Sequence, residues 1–446
     1  MSRGTGRRPV LPKSAKRLLL FAATTGYQIR VFADAACRLG IDLTLATDRC
    51  HILEDPWGDR AIPVRFDRVA ESVDALRGIA CDGIVAVGDR PAVLAAEAAV
   101  ALGVPFHPPA AARACANKFL ARQLYQAAGL RVPAFFQAPF AEGAAAAARR
   151  ASFPCVLKPV GLSASRGVIR ADTASEFAAA FERIRAMLDK SEPYLQVEAY
   201  IEGREFALEG LVTDGHLQPL AIFDKPDPLE GPFFEETIYV TPSRQAAAVQ
   251  QELIETVAAA VRALGLRHGP VHAELRYNRD GAWMLETAAR PIGGLCAKAL
   301  RFEWCEKGAD ESVPRRRSCA AWTDPSVPGF APLEELILRH ALGEDVSAAH
   351  REPLASAVMM IPIPKGGIYH SADGLDQAAL VPGVGDVIIT AKEGQHLVPL
   401  PEGASYLGFI FARAATPEEV EAALRRSHAA LRFHIATVLD TFKPSS

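Results

Sequence analysis

GPVHAELRYNRDGAWMLETAARPIGG, residues 269–294, is the stretch whose reading decides the fold. Its centre, Asn-Arg-Asp-Gly at 278–281, fits a three-residue connection over 279–281 in which Gly281 takes the left-handed position of a type I turn plus bulge. That register pairs 278 with 282, 276 with 284 and 274 with 286. Glu274 and Glu286 then sit directly opposite one another on one face of a hairpin, with Cβ atoms about 5 Å apart. At an effective dielectric of about 20 the repulsion is about 3 kcal/mol, so the fold must supply something to offset it. A shared proton, a cation such as Arg276 or Arg290, or a bound metal would each serve.

Strand alternation puts His272, Glu274 and Arg276 on that face, and Glu286, Ala288 and Arg290 beside them. A core-facing strand would be apolar here, so the face is expected to line a cleft. Hard carboxylate oxygens without His or Cys ligand spacing favour Mg²⁺, held by one or two carboxylates together with phosphate oxygens. A solvated strand face with an Arg–Glu pair is the plain alternative.

The chain around this hairpin has 446 residues, room for about three domains, each large enough for its own core. Half the residues are hydrophobic, and the net charge of −3 lacks the basic stripe of a nucleic-acid binder, so small molecules are the expected partners. Eight cysteines at 37, 50, 81, 115, 155, 296, 305 and 319 form no C-x-x-C pair, which suits reduced thiols in a cytoplasm. The basic start leads into LLLFAA, too short for the apolar region of a secretory signal, and no run approaches the about 18 apolar residues of a membrane span. It reads as a basic tail feeding a buried strand.

RLLLFAAT, DLTLAT and DGIVAVGD alternate with helical patterns, the mark of βαβ units and a parallel sheet. No G-x-G-x-x-G follows the first strand, though the loop ATTGYQ stands at a strand's carboxyl end, where ligands bind in such sheets. Residues 113–150 read as helical, and from 153 strands with turns take over. Helices are expected at 175–189, at 244–265, in LEELILRHALG and from 417. Residues 303–329 are charged, rich in Pro and Gly and without periodicity, and are expected to be a surface insertion or linker.

A second group of residues points to phosphate. Lys158 precedes GLSASRG, whose Gly161, Ser163, Ser165 and Gly167 would let backbone N–H groups close round an anion, and Lys118 adds a cation. The loop links two strands and lacks the G-K-[ST] ending of a Walker A motif, so by itself a flexible hairpin tip explains it better. Glu198 ends an apolar strand in QVEAYIEGRE, with Glu205 seven residues on, and polar groups at a strand edge suit an adenine amino group and ribose hydroxyls.

In this order the residues resemble the ATP-grasp superfamily, specifically over about 115–300, and VHAEL followed by ETAARPIGG is similar to its carboxylate–amine ligase branch, the L-amino-acid ligases. The resemblance implies an α/β (α+β) chain with the ATP-grasp fold. Its parts would be an N-terminal Rossmann-like parallel-sheet domain over 14–112, an ATP-binding lid subdomain over 113–195, a core subdomain over 196–345 carrying the hairpin and the 303–329 insertion, and a β-rich C-terminal lobe over 346–446. The activity implied is amide bond formation between a carboxylate and an amine, here amino acids, through an acyl phosphate with release of ADP and phosphate.

ATP and one or two Mg²⁺ ions, with Mn²⁺ as a substitute, are the implied cofactors. Lys118 and Lys158 would hold the α- and β-phosphates under the 161–167 loop. Glu198 with the backbone of Ala199, Tyr200 and Ile201 would bind adenine, and Glu205 the ribose. Glu274 and Glu286 would hold metal, Arg290 would stabilise the transferring phosphoryl group, and His272, Gly293 and Gly294 would shape the acceptor pocket. Lys225, Glu235 and Glu236 fall between a predicted strand and helix, where Lys225 could meet a substrate carboxylate and Glu236 an ammonium, or form a solvated charged loop. Assembly as a homodimer is left open.

One position departs from the pattern: the family has Glu-x-Asn at the second metal position, and here Ala288 stands in place of the Asn. Two rivals follow, a biotin-carboxylase or purine-pathway type of ATP-grasp enzyme, and a nucleotide-binding regulatory module without turnover.

Overall fold

The computed structural model describes residues 15–23, 28–48, 61–189, 192–304 and 330–437. The apolar run Leu18–Ala22 is buried throughout because helices cover both faces of its sheet, as parallel strands require. Its strand, Arg17–Ala22, pairs in parallel with Asp42–Thr47 on one side and Gly83–Val87 on the other, and Ala61–Pro63 completes the sheet. Of the ATTGYQ loop, residues 24–27 lie outside the described residues.

A four-stranded antiparallel sheet follows, in the order Phe135–Pro139, Tyr194–Ala199, Cys155–Lys158, Ile169–Ala171. Helix Ala174–Met187, capped by Thr173 accepting from the Glu176 N–H, packs Phe177 and Phe181 against it. The stretch expected to be helical from 113 to 150 is therefore interrupted. Helix Lys118–Ala127 ends before Pro133, and the aromatic pair Phe135–Phe136 goes into a strand, where rings pack well on a pleated face.

Eight antiparallel strands form the central sheet, running Gly281–Ala288, Gly269–Asn278, Arg204–Thr213, His216–Lys225, Ile238–Thr241, Ala355–Ile361, Gly408–Ala414, Val384–Ile389. The last three lie beyond residue 346, so the boundary expected there falls within one continuous sheet: the C-terminal strands extend the one that carries the hairpin. Of the expected insertion at 303–329, residues 305–329 lie outside the described residues, and Glu303 and Trp304 end the strand Arg301–Trp304.

The hairpin keeps the expected Glu274–Glu286 pairing by a different route. Asn278 pairs with Gly281, not with residue 282, so the connection is Arg279–Asp280 alone; Arg276 accordingly pairs with Trp283 rather than with residue 284. An irregularity after Glu274 inserts Leu285 as an extra residue and restores the register. Gly281 has φ +100, consistent with the need for glycine at the turn.

The first sheet meets helix Leu333–Ala341 closely at Gly83, where a Cβ would lie 2.3 Å from the Ala341 carbonyl oxygen and 2.7 Å from Leu18 Cδ2. Gly83→Ala is expected to cost about 1–3 kcal/mol through overpacking, read as a lowered thermal unfolding midpoint.

Candidate active site

A cavity of about 360 Å³ collects side chains from every part of the chain. The starts of helices Ile29–Leu39 and Asp89–Leu102 bring Gln28 and Asp89, the antiparallel sheet brings Lys158, and the hairpin brings His272, Glu274, Arg276, Glu286 and Ala288. Met360 from strand Ala355–Ile361 and Tyr406 from the loop before strand Gly408–Ala414 close it.

The facing glutamates are neutralised separately. Glu274 Oε1 lies 3.4 Å from Lys225 Nζ and 3.5 Å from His272 Nε2, while Glu286 Oε1 lies 3.2 Å from Lys118 Nζ. Burial favours a neutral Glu274, but Lys225 and His272 outweigh it and hold its carboxyl well below the usual range. The cations expected from the sequence are engaged elsewhere. Arg276 bonds Glu205 at 3.1 Å and the Ile201 carbonyl at 2.6 Å, and Arg290 grips Asp89 at 3.0 and 3.4 Å.

Lys225 is not in a loop. It is the last residue of strand His216–Lys225, 7 % exposed, and its ammonium sits among Glu205 (2.8 Å), Glu236 and Glu274. Instead of waiting for a substrate carboxylate it has three internal ones. Burial raises Glu236 to about 7 despite that lysine.

His272 bonds Glu209 through Nδ1 at 3.1 Å, and Glu209 also accepts the Ile292 N–H at 3.1 Å. Burial opposes charging the imidazole, but Glu209 and Glu274 prevail and raise it to about 9, so it is an imidazolium at neutral pH.

On the opposite wall, Lys118 begins its helix and donates 2.6 Å to the Leu162 carbonyl. Leu162, Ser163, Ala164 and Ser165 line the cavity, while Gly161 and Gly167 flank the loop without lining it. The left-handed turning falls on Ala164 (φ 57), Ser165 (φ 54) and Gly167 (φ 72). Consecutive positive φ at two non-glycine residues is the sort of local strain that functional loops retain. The loop is also tied to the turn before strand Gly408–Ala414: Gly167 N donates to the Pro401 carbonyl at 2.8 Å and Arg166 Nε to that of Glu402 at 2.9 Å.

Glu198 has its carboxylate taken. It accepts 3.1 Å from Arg122 Nε, bonds Gln196, and lies 2.7 Å from Lys158 Nζ. Burial would raise its pKa, but Arg122 and Lys158 pull it down to about 2. Of this region, Ala199, Tyr200 and Ile201 line the cavity; the Ile201 carbonyl is held by Arg276, and the Ala199 and Tyr200 N–H groups donate to the Ala134 and Pro154 carbonyls.

Most residues singled out from the sequence thus line one cavity, including Glu205, Glu236, Gly293 and Gly294; Lys225 stands behind the carboxylates rather than among the lining residues. Asp89, Arg122 and Glu209 escaped sequence reading. Asp89 follows the apolar strand Gly83–Val87 at its carboxyl end, a position that could have flagged it. Glu209 is the one charged residue in FALEGLV, a weaker signal, and Arg122 in KFLARQLYQ gives none.

The donor chemistry fits a hard divalent cation. Glu274 and Glu286 are both cavity-lining, with side chains 24 % and 28 % exposed, and oxygen is the ligand such ions take. Two lysines and the backbone N–H groups of the 162–165 loop suit phosphate. Ala288, opposite His272, adds only a methyl group.

A family profile described as ATP-grasp domain matches residues 151–299, and one described as L-amino acid ligase C-terminal domain 2 matches residues 359–436. An uncharacterized protein of Sinorhizobium fredii is 24 % identical over 342 residues, 76 % of this chain and 65 % of its own length. The alanine–anticapsin ligase of Bacillus subtilis is 29 % identical over 164 residues, 31 % of this chain and 34 % of its own. The chain thus spans less than two thirds of the length of these relatives. Among solved structures, the L-amino acid ligase of Bacillus licheniformis superposes with a TM-score of 0.75 at 25 % identity, covering 96 % of this chain and 100 % of that one. Carboxyaminoimidazole ribonucleotide synthase of Aspergillus clavatus, complexed with ATP, gives 0.68 at 17 % identity over 93 % and 98 % of the two chains, a likeness of fold.

No helix among the described residues is long and apolar enough to cross a membrane.

Glu198 ties the site to stability. Its folded pKa of about 2 lies below the unfolded value near 4.5, so its contribution is complete above about 4.5 and is lost as the pH falls from there towards about 2. Glu198→Gln is expected to shallow that acid limb in urea unfolding and, by stranding the Arg122 charge, to cost about 3–5 kcal/mol at neutral pH.

Proposed function

Because the chain belongs to the ATP-grasp superfamily and is similar to its L-amino-acid ligases, we propose that it is an ATP-dependent carboxylate–amine ligase acting on amino acids. The observation that carries the proposal is the convergence of Lys118, Lys158 and the Ser163–Ser165 loop on the same cavity as the carboxylates of Glu274 and Glu286.

A carboxylate is a poor electrophile. In the proposed reaction a substrate carboxylate oxygen attacks the terminal phosphorus of ATP, ADP leaves, and the amine then attacks the acyl phosphate, releasing phosphate and a proton. Lys118, Lys158 and the backbone N–H groups of the loop would bind phosphate oxygens, and Ala199–Ile201 would meet the base with their backbone. Arg290, oriented by Asp89, would face the transferring phosphoryl group or the acyl phosphate. Glu274 and Glu286 would hold Mg²⁺, which neutralises charge building on the phosphoryl oxygens. The imidazolium of His272, pinned by Glu209, would position Glu274 and add positive charge at the acceptor side near Gly293 and Gly294. The contacts of Gly167 and Arg166 with residues 401–402 keep the loop over the cavity, where water would otherwise hydrolyse an acyl phosphate.

Ala288 favours a second reading, a module that binds ATP without turnover, because it removes an oxygen ligand where the ligases have one. The nucleotide product separates the two. Amino-acid-dependent ADP release, with hydroxylamine trapping an acyl hydroxamate, is expected for the ligase; nucleotide binding without release supports the module, and AMP as product would sink both. Glu286→Gln is expected to lower turnover by about 10²–10³-fold while leaving the circular dichroism spectrum unchanged.

A further inference from the structure

Three carboxylate oxygens, one each from Glu205, Glu236 and Glu274, lie within 4.8 Å of one another, close enough to hold a metal ion together. The protein fills this place itself. The Lys225 ammonium lies 2.8 Å from Glu205, bonds Glu236 and lies 3.4 Å from Glu274, on a side chain that is 3 % exposed. Strand Arg204–Thr213 supplies Glu205 and strand His216–Lys225 supplies the lysine directly opposite it, so the pair is set by sheet register and not by a mobile loop. On the hairpin's other strand Ala288 offers no oxygen, and Glu286 has its own cation in Lys118 at 3.2 Å.

We infer that Lys225 takes the place of a second divalent cation, so that this site binds a single ion, between Glu274 and Glu286. The tethered ammonium uses the Glu205 and Glu236 oxygens that a second ion would need beside Glu274, and its positive charge repels another cation from that cluster. The inference rests on the ligase reading for the nucleotide and for the first ion, and concerns this chain's own charge beside them.

Mn²⁺ titration of the full chain in saturating ADP, with free Mn²⁺ counted by electron paramagnetic resonance, tests it without turnover. One ion per chain is expected in the wild type, and two in Lys225→Met, where Glu205, Glu236 and Glu274 are released to bind; adding Glu236→Gln to that variant should return the count to one. Two ions in the wild type, or one in a folded Lys225→Met, overturn the inference. Lys225→Gln keeps a polar group among the carboxylates and serves in place of Lys225→Met if the latter does not fold. A parallel calorimetric titration with ADP keeps the two readings apart: if the wild type binds neither ADP nor Mn²⁺, the ligase reading itself falls, whereas ADP binding with two Mn²⁺ ions removes only the role given to Lys225.

Discussion

Two carboxylates facing each other across one antiparallel pair must each be given positive charge, and the rest of the site is arranged round that demand. Glu274 takes its share from Lys225 and His272, and Glu286 from Lys118. These cations come from a strand of the same sheet one strand removed from the hairpin, the hairpin itself and a helix whose Lys118 lies 168 residues before Glu286. Satisfying the hairpin therefore docks that helix against the central sheet, and with it the loop that Lys118 holds through the Leu162 carbonyl. A Coulombic problem local to one hairpin has become a constraint on how the parts assemble.

Behind this first pair lies a second tier of charge in which each group is already paired. Arg276 and Lys225 share Glu205, Arg290 is held by Asp89 at the start of helix Asp89–Leu102, and Arg122 and Lys158 share Glu198. Burying so many ions is costly, and hydrophobic substitutes of similar volume would often be at least as stable. Concentrations of perturbed, paired ions in a cleft are instead the signature of a place where charge is put to chemical use. For the proposed ligase, that use is holding phosphate oxygens and a transferring phosphoryl group in a cavity closed by the C-terminal part of the chain.

The hairpin shows how legible the site was, and why. The identity of the facing pair survived because strand alternation is a local property, but the path to it did not. The connection is one residue shorter than the turn chemistry suggests, and an irregularity at Leu285 restores the count. Alternation alone cannot reveal a bulge, since an inserted residue is paid for by twist and packing contributed by other strands. The loop after Lys158 was legible for the same reason of short range, although its left-handed residues are Ala164 and Ser165 rather than Gly161. Glu198 looked available for adenine because Arg122, 76 residues away in sequence, leaves no local trace of the contact it makes.

Sequence alone determined what depends on neighbours along the chain: the parallel βαβ start, the strand–loop–strand after residue 153, the opposed glutamates, and the missing oxygen ligand at Ala288. Tertiary structure decided which charges meet. It placed Lys225 among three carboxylates, turned Arg290 to Asp89, tied the phosphate-side loop to Pro401 and Glu402, and ran the C-terminal strands into the same sheet as the hairpin. The physical reason is range. Turn geometry and alternation act over a few residues, whereas an ion pair in a buried site selects its partner by position in space, and that position exists only once the sheets have packed.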